Sequence, residues 1–537
     1  MRLSLQAATL AFLFAPGCGS AQEVPTIGFG AAIGEHRLSG NDRLEIDGLD
    51  RGTFSGISVR VTVGTDGSVI DARMDRDGIE KGDARPALAA VRQWKFHPFE
   101  YRGRPVRAVG TVSINYVPKG RWADPQADFP AIDYATLRIE LQRSACYGNC
   151  PDYSVAIDGA GNVTFSTRAK PVDEVSALHR AYNANGVLVP GTHRTKIDRA
   201  TLDALIGKFR TARFFGLEKN YSYPVTDNPT HVLRFSTGGR TMEVADYVGR
   251  MAGMPAEAYD LEAAVDAAAG TARWVTGDAT TLAALVADGF DPRSREAARL
   301  AVAALGESGD ALVLDLIAAG LPLDAVVKDP RGATVQTGVL LQRESIRFGR
   351  AGVARALAAR GWLAKVPAAE RAQLFAESAG GCDPDVARAM VESGVDPNAQ
   401  SKASHDMGFT GGGNALNAAV ASYGTCRDID RAALVKALLA LGVDPNARNA
   451  DGESPIFGLE DRGLLDLLLA NGAKVGIKDK AGRGPVFGTW TDVIALTLLD
   501  AGADPRGKDE GGKTLRQVAT QKYMPATLAW LDAHGIP

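Results

Sequence analysis

The sequence lacks the signatures of most common chemistries. It contains no HExxH pair and no GxSxG elbow, so zincin and α/β-hydrolase mechanisms have no foothold, and no Walker loop is read, because the one GxxxxGK[ST] spacing, Gly507 to Thr514, falls inside a recurring helix-stop and turn phrase. Its net charge of -3 over 537 residues leaves no general basic excess for nucleic acid. The mostly apolar stretch Leu3 to Phe14 falls short of the ~20 residues that a spanning helix needs. Cysteine is scarce, with five in the chain. The glycine run Gly28 to Gly34 has the wrong spacing for a dinucleotide fingerprint and no strand ahead of it. No cofactor is expected, no catalytic residue is identified, and the chain is expected not to be an enzyme.

What is present begins with an export pattern. Arg2, the apolar run and the small residues after it read as a secretory signal over residues 1–21, cleaved after Ala21. Ala15-Pro16-Gly17-Cys18 also resembles a bacterial lipobox, which makes Cys18 a lipidation candidate. Either processing leaves Cys146, Cys150, Cys382 and Cys426 as an even set, and in an oxidising compartment an even set suggests disulfides. Residues 22–51 read as a flexible leader.

Residues 52–117 read as a small α+β domain. Ile57, Val59, Val61 and Val63 alternate with polar neighbours, Asp66-Gly67 turns the chain, and a helical segment with Ala87, Leu88, Val91 and Trp94 follows. A last strand carries Val109, Val112, Ile114 and Tyr116. The order strand-strand-helix-strand, with the Trp94-Lys95-Phe96-His97-Pro98 phrase and Gly103-Arg104-Pro105-Val106, resembles the C-terminal domain of TonB-type energy transducers. That resemblance implies strand addition, in which a peptide of an outer-membrane transporter pairs with an exposed sheet edge. The expected edge is Thr111 to Val117, with Thr111, Ser113 and Asn115 as contact candidates. The expectation is a docking module without the family's membrane anchor and long proline-rich span. Between Arg85 and Arg121 eight basic residues face one acid, Glu100, a local excess of +7. Arg102 and Arg104 therefore become candidates for anionic envelope material or an acidic partner.

Residues 118–130, rich in Pro, Gly and Asp, read as a linker. Residues 131–278 read as a second α+β domain, with hairpins turning at Asp158 to Gly161 and at Gly238-Gly239 and a helix ended by Gly270. Its CYGxCPxY phrase, from Cys146 to Tyr153, and Val225 to His231 (VTDNPTH) resemble an uncharacterised bacterial domain family, which carries no activity to transfer. The C-x3-C spacing suits a disulfide in a turn; a zinc site there would need two more ligands from His179, His193 or His231. An enzyme or thiol redox centre in this segment is the alternative function.

From 279 to 537 one phrase recurs: apolar stripe, glycine stop, polar turn, new helix. The glycines are 289, 320, 361, 394, 442, 472, 502 and 535, with steps of 31, 41, 33, 48, 30, 30 and 33 residues. Such a period marks stacked helical pairs. With GVDPNA at two of these stops and Ser454-Pro455-Ile456-Phe457 after a turn, the segment resembles the ankyrin repeat family. The histidine that ties neighbouring turns in that family is absent. The resemblance implies protein recognition through turn tips, and Asn449, Asp451, Lys478 and Lys480 are the candidates. Cys382 and Cys426 occupy similar places in adjacent units; across packed helices a bridge between them is possible but strained, and two buried thiols are the alternative.

The sequence thus predicts a multi-domain chain: two small α+β domains followed by an all-α ankyrin-type solenoid. It predicts an exported scaffold, periplasmic or anchored at the outer membrane, that binds other envelope proteins and no nucleic acid.

Overall fold

Alternation builds the first sheet. In β4 (Gly56–Val63) Ile57, Val59, Val61 and Val63 are fully buried, each contributing roughly 1.5–3 kcal/mol by leaving water. The computed structural model describes residues 24–46, 56–75, 84–147, 150–167, 186–307, 309–329, 332–402, 412–421, 426 and 430–537. The signal segment, Cys18, His179 and most of the insertion after Ser401 lie outside these residues. The chain is multi-domain, sheet-rich at first and helical thereafter.

The first domain contains β1 (Thr26–Gly30), β2 (Arg37–Ser39), β3 (Arg43–Ile46), β4, β5 (Val69–Met74), α1 (Arg85–Val91), β6 (Lys95–Phe96), β7 (Glu100–Tyr101), β8 (Arg104–Pro105) and β9 (Arg107–Pro118). The main sheet runs β1-β9-β4-β5, and β3 also pairs with β9. Two expectations are corrected here. The segment read as a leader supplies β1 and β3, with Ile27 buried in the domain core. The strand read as an exposed edge is central: β4 pairs with it from Gly56 to Val63, while β1 covers Arg107 to Gly110 and β3 covers Asn115 to Pro118 on the other side. The physical reason is long-range pairing, since two earlier strands of the same chain satisfy part of the backbone along that edge.

The linker 118–130 is packed, not loose. Arg121 N–H donates to Gly253 O, Asp124 N–H to Gly216 O, and the Trp122 indole N–H to Ala212 O. The second sheet contains β10 (Arg138–Arg143), β11 (Tyr153–Asp158), β12 (Asn162–Thr167), β13 (Thr192–Lys196), β14 (Asn220–Ser222), β15 (His231–Thr237) and β16 (Arg240–Tyr247), in the order β13-β12-β11-β10-β15-β16-β14. Helix α2 (Arg199–Thr211) and helix α3 (Ala256–Ala269) pack against each other beside it.

The helical region holds α4 (Ala272–Val275), α5 (Thr281–Ala287), α6 (Arg295–Glu307), α7 (Asp310–Ala318), α8 (Thr337–Arg347), α9 (Ala351–Ala358), α10 (Trp362–Lys365), α11 (Ala368–Ser378), α12 (Pro384–Glu392), α13 (Ala415–Val420), α14 (Arg431–Ala440), α15 (Arg462–Ala470), α16 (Asp492–Asp500), α17 (Leu515–Gln521) and α18 (Pro525–Ala533). It is not purely helical, because a short hairpin, β17 (Val326–Lys328) with β18 (Thr334–Gln336), interrupts it. All eight expected stop glycines have positive φ, from 61° at Gly535 to 98° at Gly320, the left-handed conformation that glycine adopts without penalty. Four turns of this region, one of them in that hairpin, share one design. Asp329, Asn449, Asp479 and Asp509 each accept, through the side chain, the N–H four residues ahead.

The hydrophobic core of the second sheet continues without a break from Leu137 through the helices to Ile536. The first domain has its own core, joined at its margin by Val493 and Ala526 of the last helices. There Gly28 N–H donates to Asp492 Oδ2, and Arg60 lies over the Tyr523 ring.

Candidate functional site

In the second sheet, four adjacent strands each place a polar side chain at the same level. Tyr153 on β11 pairs with Arg143 on β10, Arg143 with His231 on β15, and His231 with Asp246 on β16. Directly opposite residues on neighbouring strands share a face, so these four form one row. Helix α3 packs on β10 and β11 and lowers Glu262 and Asp266, one turn apart, onto that row.

Half of the cluster is fully satisfied. Arg143 donates to Asp266 Oδ2 from Nε at 3.0 Å and Nη2 at 2.7 Å, while Tyr153 Oη at 2.6 Å and Thr271 Oγ1 at 2.8 Å donate to Asp266 Oδ1. Burial alone would weaken the charge on Arg143, but Asp266, Tyr153 and Glu262 outweigh it and raise its affinity for the proton. Burial, then the Asp266 charge, pushes the Tyr153 phenol well above its ordinary range.

The other half is not satisfied. Glu262 Oε2 meets His231 Nδ1, and Arg143 Nη1 lies 3.4 Å from the same oxygen. Asp246 Oδ1 accepts from Gly249 N–H. Glu262 Oε1 and Asp246 Oδ2 are buried with no hydrogen-bond partner, and the two residues are only 4% and 3% exposed. Burial, then the charge of Glu262, pushes the Asp246 carboxyl up to about 7. His231, Asp246 and Glu262 are the group of potential metal ligands that the described residues bring together.

Beside the row lies an open pocket of about 580 Å³. Arg143, Tyr153, His231, Asp266 and Thr271 line it, together with Cys150 and Pro151. Cys146 and Cys150 form a disulfide with a Cα–Cα distance of 5.5 Å, so His231 joins carboxylates and not the cysteines.

Two segments match known families. Residues 50–118 match the Gram-negative bacterial TonB protein C-terminal model, and residues 137–269 match Domain of unknown function (DUF6438). Arg143, Tyr153, His231, Asp246, Glu262 and Asp266 all fall inside the second segment. No curated protein matches the chain.

The remaining candidates are scattered. Thr111 and Asn115 are half-buried within β9, Thr111 Oγ1 donating to Asp75 Oδ2, and Ser113 is exposed. Exposed Arg102 pairs with Asp500 of α16, and Arg104 sits exposed on the β7–β8 hairpin. Asn449 is spent on its own turn, accepting from Asp451 N–H and Glu453 N–H. Asp451 O accepts from Lys480 N–H in the next turn, while the side chains of Lys478 and Lys480 are exposed. Cys382 and Cys426 are bridged, with Cα atoms 5.2 Å apart. Left-handed backbone from Ala379 to Cys382 carries Cys382 out of helical register, so the helix-packing distance does not apply to it.

The sequence reading missed Arg143, Asp246, Glu262 and Asp266. Glu262 and Asp266 sit four apart in a helix-patterned segment, which signals a shared face. Nothing local signals that this face is buried.

Proposed function

We propose that the protein is a non-catalytic, exported interaction protein of the Gram-negative cell envelope that binds other envelope proteins. The match of residues 50–118 to the TonB protein C-terminal model supports the envelope setting. No helix among the described residues is long and apolar enough to cross a membrane. The observation that carries the reading is the ladder of repeated turns. Asn398 donates to Gly442 O at 3.1 Å and accepts from Asp444 N–H at 2.7 Å; Asn446 does the same with Gly472 O at 3.0 Å and Lys474 N–H at 2.8 Å. Arg483 joins Glu453, Asp479 and Glu510 across three successive turns. Rigid, regularly spaced turn tips with exposed lysines suit an ankyrin-type array that grips a protein. Strand addition of a transporter peptide at β9 would require β1 or β3 to give way, whereas β5 is an outer strand of the same sheet.

The test is site-specific photocrosslinking in intact envelopes from Lys478 and Lys480, with the buried position Leu465 as control. Discrete protein adducts from the turn positions alone support the reading; no adduct from either, or equal adducts from all three, overturns it. A second reading, ligand binding or chemistry in the pocket beside Arg143 and His231, is favoured by the charged lining of that pocket.

A further inference from the structure

We propose that His231, Asp246 and Glu262 bind a divalent first-row transition-metal cation, Zn²⁺ or Mn²⁺. The donor set is one imidazole nitrogen and two carboxylates, a mixture that suits these ions better than Ca²⁺ or Mg²⁺. Three independent features support it.

The first is convergence. The ligand atoms come from β15, β16 and α3 yet lie within 4.8 Å of one another. A cation at their centre requires each to close by no more than roughly 0.7 Å to reach a bond length of ~2.1 Å. The second is unmet bonding capacity. Asp246 Oδ2 and Glu262 Oε1 are both buried without a donor. A buried carboxylate oxygen with no partner is costly, and two in one place invite a shared positive charge. The third is local charge. Arg143 is already committed to Asp266 through two hydrogen bonds. The pair Asp246 and Glu262 has only the longer 3.4 Å contact from Arg143 to Glu262 Oε2, so it keeps a buried negative excess that a divalent ion offsets.

The surroundings complete the site. His231 alone of the three lines the 580 Å³ pocket, which places the cluster next to a cavity with room for a water as further donor. Arg143, Tyr153 and Thr271 hold Asp266, and all four line that pocket. Gly249 N–H orients Asp246 through its other oxygen, as outer partners of metal-binding carboxylates do.

The experiment uses the full chain, stripped with a chelator and dialysed. Elemental analysis and calorimetric titration with ZnCl2 or MnCl2 should give one ion per chain, and thermal unfolding should shift upward by several degrees at saturation. Asp246→Asn and Glu262→Gln keep shape, remove charge and should fold; each should lower affinity at least tenfold and abolish the shift. His97→Ala, remote from the cluster, should keep it. If neither ion binds, or if both charge-removing variants retain the wild-type shift, the proposal is overturned. A stripped wild type less stable than stripped Asp246→Asn would support it further, because the charge repulsion would be relieved by mutation as it is by metal.

Discussion

Asparagine ties neighbouring turns of the helical region together. Asn398 and Asn446 follow Asp-Pro in the two GVDPNA phrases, and each bridges to the next unit with its amide N–H and its amide oxygen. A side chain that donates and accepts at once is needed, because the facing backbone offers one carbonyl and one N–H. Asn446→Ala deletes both bonds and should cost about 1–3 kcal/mol, measured by urea unfolding. A loss below about 0.3 kcal/mol would show that water replaces the bridge without penalty. Asn446→Asp should be intermediate, since the acceptor survives and the donor does not.

At the scale of the element, β1 is the decisive piece. It pairs parallel with β9 on one side, and it touches α16 and α18. Gly28 makes that double contact possible. A Cβ there would stand 2.7 Å from Tyr523 O and 3.0 Å from Asp492 Oδ2. Asp492 also accepts from Thr527 N–H, Thr527 Oγ1 and Ala526 N–H, so it is fixed and cannot retreat. Gly28→Val should therefore separate the first domain from the last helices while leaving each folded. Hydrogen exchange should rise at residues 26–30 and 492–527 and stay unchanged in β10, β11 and β15. Unaltered exchange at 492–527 would mean that Arg60 over Tyr523 and the Arg102–Asp500 pair suffice to hold the contact.

At the scale of the molecule, the second sheet and the helices share one core from Leu137 to Ile536. Leu188 and Val189 N–H donate to Val275 and Trp274 O, stitching sheet to first helices. The Cys382–Cys426 bridge closes a separation of 44 residues within that core. By the chain-entropy account its loss costs about 4 kcal/mol. The double variant Cys382→Ala, Cys426→Ala should lower the unfolding midpoint of the sheet and the array together, read by calorimetry and by exchange at β15. Loss of the array with undiminished protection in the sheet would show two separate cooperative units.

The residues themselves were enough to place the turns and many of the strands. Each stop glycine, the Asp158 to Gly161 and Gly238-Gly239 turns, and the alternation of Ile57 to Val63 act through local backbone preference, which is written in the neighbouring residues. The strand pairings of β9 were not legible, because Thr26–Gly30 and Arg43–Ile46 reach it from more than sixty residues away. The carboxylate–histidine cluster was hidden for the same reason: Arg143, His231, Asp246 and Glu262 carry no common spacing and meet only when β10, β15, β16 and α3 assemble. Local sequence determined which segments turn, alternate or coil; only tertiary packing decided which edges were already filled and which charges were driven together out of water.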